Sequence, residues 1–342
     1  MPGDASGAAL SVVVVGRDGF ATLRPILECL AEQTIARRIE VIAVVPVDDP
    51  SADPPPPSAS AFRQFKTIAA GAISNRGTAA AQGTRHASGT IVAFTENHCF
   101  PSPDWAEKLI ASYTDDLAGV GPAIVNANPE STLSWVSYAG GYCAFASHKP
   151  VSFIEEMPIH NTSYRRQLLA NLSNELEYLL ADERRLMRRL KESGGRFLFR
   201  PDATASHLNE ATWRLVLGMS YFNGRRFGGR RAEGWPWSRR LMYAAAFPLL
   251  SGPLLRKAMR DISPVPGRPA FMPKLLPALW LQALAHSLGE AVGYLRGPKD
   301  VFDFVDDEEF MILERLGAKP PRNERITRFI GLASPMSASA SQ

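Results

Sequence analysis

The sequence predicts an α/β fold: a mostly parallel sheet flanked by helices, followed by a helical, partly apolar C-terminal region. Two continuous runs rich in β-branched residues, Leu10–Val15 (LSVVVV) and Ile39–Val45 (IEVIAVV), have the composition of strands covered on both faces. Between them the apolar residues recur at helical spacing, and strand, helix, strand in that order gives a right-handed parallel crossover. The chain has 342 residues, 45% hydrophobic and 21% charged, which suits one large domain with appendages or two domains.

The helix between the two strands runs from about Thr22 to Gln33, with Leu23, Ile26, Leu27 and Leu30 on one face. Residues 48–61 (DDPSADPPPPSASA) form a Pro/Ser loop, and Phe65 to Ile73 supplies another short strand. "NRGTAAAQGTRHASG", residues 75–89, reads as a small-residue helix closed by Gly89, ahead of a strand at Thr90-Ile91-Val92-Ala93. Asp104 to Tyr113 is helical and Val120 to Val125 a strand. Ser173 to Ser193 reads as a single helix with a capping serine, acids early, bases late and Gly194-Gly195 beyond. Its apolar stripe runs through Leu176, Leu179/Leu180, Leu186/Met187 and Leu190, and the position that fills the gap is Glu183. An inward carboxylate either has a chemical purpose or snorkels at the edge of the stripe. Farther on, Leu241–Leu255 and Leu275–Leu288 are apolar but interrupted by proline, short of the ~20 residues of a spanning helix. They read as interfacial elements or as core helices of a second domain, and the last ten residues as a disordered tail.

Three cysteines, Cys29, Cys99 and Cys143, make neither a disulfide framework nor a CxxC zinc pair, which points to a reducing compartment. The amino terminus lacks the basic region of a signal peptide. Net charge is +4, but Tyr221 to Arg260 holds nine basic residues against the single acid Glu233. That segment either is a solvated charged face or meets an anionic partner. Its arginines are interleaved with apolar stretches and no groove-reading motif is present, which argues against nucleic acid.

The stretch "FTENHCFPSPDW", residues 94–105, puts a glutamate, an asparagine, a histidine and a cysteine in one turn at the carboxyl end of a strand. Together with "SVVVVGRDG", "NRGTAAAQGTRHASGTIVAFTENH", "HNTSYRR" (160–166) and "ADERRLMRRLKESGGRFLFRPDATASH", it forms an ordered set over about residues 10–210. That set resembles the inverting glycosyltransferases of family 2, which have the GT-A, Rossmann-like fold. Where the family has Asp-x-Asp, this chain has Glu96-Asn97-His98.

The resemblance implies a nucleotide-diphosphate sugar donor and a divalent cation, Mn2+ or Mg2+, held by His98 and His207. It places Arg17, Asp18, Asp48 (or Asp49), Asn75, Gly77, Glu96 and Asn97 near the nucleotide. A solvated loop acid is an equal reading for the aspartates. Asn161 and Tyr164 are implied to line the acceptor pocket, and Glu183, in the order Asp182-Glu183, to be the general base. Combined with the arginine-rich segment and the two apolar stretches that follow, the expected organisation is a GT-A domain over 1–215, an Arg-rich apolar membrane-associating helical region over 216–300, and a C-terminal helix and disordered tail over 301–342. The acceptor is then a lipid-linked or membrane-proximal glycan, and the protein sits on the cytoplasmic side of an anionic membrane, peripheral or monotopic. A domain that has lost catalysis and only binds a glycan or partner, and a nucleotidyltransferase, are the alternatives.

Overall fold

A computed structural model describes residues 8–17, 19–46, 56–73, 75–158, 161–181, 183–268, 274–297 and 321–332, the side chain of Glu183 excepted. The chain divides into two compact units: Met1–Val125, Lys149–His207 and Asn323–Gln342 form one, Asn126–His148 and Leu208–Arg322 the other. The sequence expectation drew cuts after residues 215 and 300; the compact units divide at 207/208 and 322/323, with residues 126–148 in the second unit.

The first unit is built on a nine-stranded sheet. Its strands are β1 (Leu10–Val15), β2 (Ile39–Val45), β3 (Gln64–Ala69), β4 (Ile91–Thr95), β5 (Cys99–Pro101), β6 (Leu117–Asn126), β7 (Ser152–Phe153), β8 (Ser163–Arg165) and β9 (Arg196–His207). The order is β3-β2-β1-β4-β8-β6-β9-β5, with β7 on β9. β3, β2, β1 and β4 run parallel; β8 pairs antiparallel with both β4 and β6, and β5 and β7 antiparallel with β9. Every residue of β1, β2 and β4 is buried, which is why these strands read as unbroken apolar runs. The exception is Glu40 in β2, fully buried yet bonded by Ser11 Oγ of β1, by Lys66 Nζ of β3 at 2.6 Å and by Ser88 N at 2.8 Å.

Helices α1 (Arg24–Ala31) and α2 (Arg76–Arg85) flank the parallel half. Asn75 caps α2 by accepting from Thr78 N at 3.1 Å, and its buried face is Gly77, Ala79, Ala80, Ala81, Gly83 and Thr84, small enough for the helix to lie close on β1 and β2. Farther along are α3 (Trp105–Ala111) and, in the second unit, α4 (Thr132–Gly141).

The single helix expected over Ser173–Ser193 is not formed. Short α5 (Arg166–Ala170) is followed by α6 (Leu176–Leu180), a turn at Ala181, and α7 (Glu183–Glu192). The apolar stripe survives, since Leu176, Leu179, Leu180, Leu186, Met187 and Leu190 are all buried. The break changes the argument for Glu183. Its backbone opens α7, so a stripe extrapolated from α6 does not set its direction.

In the second unit, α8 (Trp213–Arg231) and α11 (Leu276–Arg296) pack backbone to backbone. A Cβ on Gly224 would lie 2.0 Å from His286 O, and one on Gly289 1.9 Å from Tyr221 O, so only glycine permits this approach. Buried Glu290 is bonded by Tyr294 Oη at 2.6 Å and lies 3.4 Å from His286 Nε2. Between α8 and α11 come α9 (Trp237–Ala245) and α10 (Phe247–Ile262), parted by Ala246 alone. Among the described residues no helix is long and apolar enough to cross a membrane. A last helix, α12 (Glu324–Ile330), belongs to the first unit. Phe329 stacks on Phe100 with centroids 5.7 Å apart, while Arg325 Nη2 donates to Pro101 O at 3.0 Å.

Candidate functional site

In the order β3-β2-β1-β4, successive strands first step outward from β1 and then return to its other side. Such a reversal leaves a crevice outside the carboxyl ends of the two flanking strands, here β1 and β4. The residues after β4 are Glu96, Asn97 and His98, all buried despite their polarity. The chain then enters β5, whose register against β9 pairs Cys99 with His207 and so sets His207 beside His98.

His98 Nε2 lies 3.1 Å from His207 Nε2, with the rings edge to face at 4.8 Å. Glu96 Oε2 is 3.5 Å from His98 Nε2 and 3.6 Å from His207 Nε2, while Oε1 meets the guanidinium of Arg76. The carboxylate is divided: one oxygen faces the arginine, the other the two imidazoles. Asn97 Oδ1 sits 2.9 Å from His98 Nδ1. Accepting from Nδ1–H, it fixes the ring and leaves the Nε2 lone pair toward His207 and Glu96.

Two imidazole nitrogens and a carboxylate oxygen that face one another form a donor set for a cation. One ligand atom from each residue lies within 4.8 Å of the others. Bonds of about 2.0–2.2 Å to a common cation would space its ligands about 3.0–3.6 Å apart, which these three separations match. The donor set therefore fits a divalent metal. Cys99 is outside this group, and burial, with Glu96 reinforcing it, pushes its thiol well above the ordinary range.

Arg76 and Glu96 share a pocket with Val13, Val15, Gly77 and Leu180. Gly77 serves packing here more than ligand approach. A Cβ on it would stand 2.2 Å from Ala181 N, so glycine is what lets α2 touch the turn between α6 and α7. Glu183, at the start of α7, follows Leu180 of the pocket wall by three residues in sequence. Arg76 was not singled out from the sequence. Its signal is modest: it occupies the first helical position after the capping Asn75, at the carboxyl-end side of the sheet.

The other predicted residues fall as follows. Arg17 lies half-buried in the turn after β1, and Asn75 spends its side-chain oxygen on the α2 cap. Asp18, Asp48, Asp49 and Asp182 lie outside the described residues, as does the side chain of Glu183. Asn161 and Tyr164, expected along an acceptor pocket, are both fully buried. Asn161 holds φ +61° and accepts from Thr95 Oγ1 at 2.5 Å, bracing the strand end before Glu96. Tyr164 pairs with Val92 and Gly119 across the sheet and packs on Phe94, a core position with no exposed face.

The chain has likenesses among known proteins. No curated protein matches the chain. Among solved structures, it is similar to mannosyltransferase PcManGT from Pyrobaculum calidifontis in complex with GDP-Man and Mn2+, at 16% identity and TM-score 0.46, over 96% of this chain and 86% of that one. It is also similar to S. aureus TarS 1-349 in complex with UDP, at 16% identity and TM-score 0.43, over 83% and 90%. A third likeness is to GalNAc-T7 with UDP, GalNAc and Mn2+, at 14% identity and TM-score 0.44, over 59% and 43%. Residues 11–176 match the family model described as Glycosyl transferase family 2, a span that holds β1, β4 and the Glu96–His98 turn. The chain carries a glycosyltransferase family 2 domain with the GT-A fold.

Proposed function

We propose that the protein transfers a sugar, with inversion, from a nucleotide-diphosphate donor to a lipid-linked or membrane-proximal glycan, using a divalent cation held by Glu96, His98 and His207. The observation that carries the reading is this three-ligand group at the carboxyl end of β4, inside the family 2 domain. A bound cation supplies positive charge where the phosphates of the departing nucleotide accumulate negative charge. Two imidazole ligands favour Mn2+ over Mg2+, which prefers oxygen.

The chain's own residues do the rest. Asn97 orients His98, and Arg76 balances Glu96 so that the buried carboxylate keeps one oxygen for the cation. Arg17, Asn75 and Gly77 border the nucleotide, with Asp18 and Asp48 as further candidates. Glu183 takes the proton from the acceptor hydroxyl as it attacks the anomeric carbon. The acid-poor, arginine-bearing segment of the second unit supports an acceptor at the cytoplasmic face of a membrane.

A donor screen by thermal shift tests the reading. One nucleotide-diphosphate sugar is expected to raise the unfolding temperature in the presence of Mn2+ and not in EDTA. Stabilisation by no donor, or equal stabilisation without metal, would contradict it.

A further inference from the structure

We propose that the exposed face of the α9–α10 pair is a docking surface for an anionic lipid bilayer, an inference that extends the membrane-proximal reading above to particular residues. The two helices are parted by Ala246 alone, and each carries exposed positions at helical spacing. On α9 they are Leu241, Met242 and Ala245; on α10 they are Pro248, Leu249 and Pro253, then Arg256, Lys257 and Arg260.

Ordinary amphipathic helices hide such residues. Here the inward side holds Ala244, Ser251 and Ile262, while Leu241, Met242 and Leu249 are 56%, 61% and 79% exposed. Scattered exposed apolar residues need no explanation, but a row along one helix face does. Trp237 stands exposed at the near end, under the guanidinium of Arg240 at 5.7 Å. Aromatic rings and arginines at the margin of an apolar face suit the headgroup level of a bilayer.

Charge selects the occupant. Trp237 to Arg260 contains five basic residues and no acid; Asp261, just beyond, pairs with Lys257 and Arg260 and leaves the row net positive. A second copy laid on this face would oppose cation to cation. A nucleic acid would meet the arginines but gain nothing from Leu249. Anionic lipid satisfies both halves of the row.

The full chain is sedimented with sucrose-loaded vesicles of phosphatidylcholine, alone or mixed with phosphatidylglycerol, without nucleotide or metal. The expected result is binding to the anionic vesicles, weakened by salt. Combined Arg256→Ala, Lys257→Ala and Arg260→Ala should lower it about 10²-fold, each cation at the surface counting about fivefold. Leu249→Asp should lower it at least about tenfold, by losing apolar insertion and adding repulsion. Because Leu249 is so exposed, that variant keeps its fold, which circular dichroism checks. Equal binding to neutral vesicles, no binding, or indifference to both variants would overturn the proposal. So would a change of oligomeric state in Leu249→Asp with vesicle binding intact, which would make the face an interface between copies. Neither donor nor cation enters the assay, so its failure leaves the transferase reading standing, and the reverse.

Discussion

Removing one imidazole from the Glu96–His98–His207 group should nearly abolish the stabilisation the protein gains from Mn2+. At a metal concentration one hundred times Kd, a site present only in the folded state contributes about 2.7 kcal/mol. For a folded unit of roughly 150–250 residues that corresponds to a rise of about 5–10 °C in Tm. Residues that merely orient a ligand change metal affinity 10–100-fold, so loss of a ligand should cost at least about 100-fold. At the same Mn2+ concentration the remaining stabilisation is then about 0.4 kcal/mol, or about 1 °C. The two residues are 1% and 3% exposed, so His98→Ala and His207→Ala also leave cavities that lower Tm by themselves. Each variant is therefore compared with itself in EDTA, and only the metal-dependent difference is read. His98→Asp should keep a response and shift it toward Mg2+, because an oxygen ligand suits the harder ion. An unchanged Mn2+ response in both alanine variants would remove the histidines from any metal site.

Glu183→Gln should reduce transfer about 10²–10⁴-fold with donor affinity nearly unchanged, and Asp182→Asn far less; the opposite order in single-turnover assays would move the base to Asp182. Gly77→Ala should destabilise the protein by about 1–3 kcal/mol in urea, since its Cβ would sit 2.2 Å from Ala181 N; full stability would mean that the α2 contact is soft. For Glu40, burial raises the carboxyl, but the bonds from Lys66, Ser11 and Ser88 outweigh it and hold the carboxyl below its ordinary value. A depressed folded pKa stabilises above the unfolded value and is lost as pH falls through the folded one, so wild type should lose stability on acidification faster than Glu40→Gln. Parallel pH profiles from chemical denaturation would contradict that assignment.

The parallel half of the sheet was legible because strands covered on both faces leave unbroken apolar runs, as in Leu10–Val15 and Ile39–Val45. In the antiparallel half the long β6 was legible, at Val120–Val125, but the short strands were not. β5, β7 and β8 are two or three residues long, too short for any period, and it is the β5–β9 register that brings His207 to His98. His207 was reachable only through resemblance. The break after α6 escaped because Leu179/Leu180 and Leu186/Met187 keep helical spacing across it, and no Gly or Pro marks Ala181. Tyr164 illustrates another limit: an aromatic in a polar motif looks like a binding residue, yet central pairing on β4 and β6 buries it completely.

The central claim is metal-assisted donor cleavage by this turn, and release of nucleoside diphosphate from the donor selected by thermal shift tests it most directly. With an acceptor glycan present, the protein should release nucleoside diphosphate in Mn2+, stop in EDTA, and stop in Mn2+ when His207 is replaced by alanine. Release that continues at the same rate in EDTA, or in His207→Ala, would contradict the account.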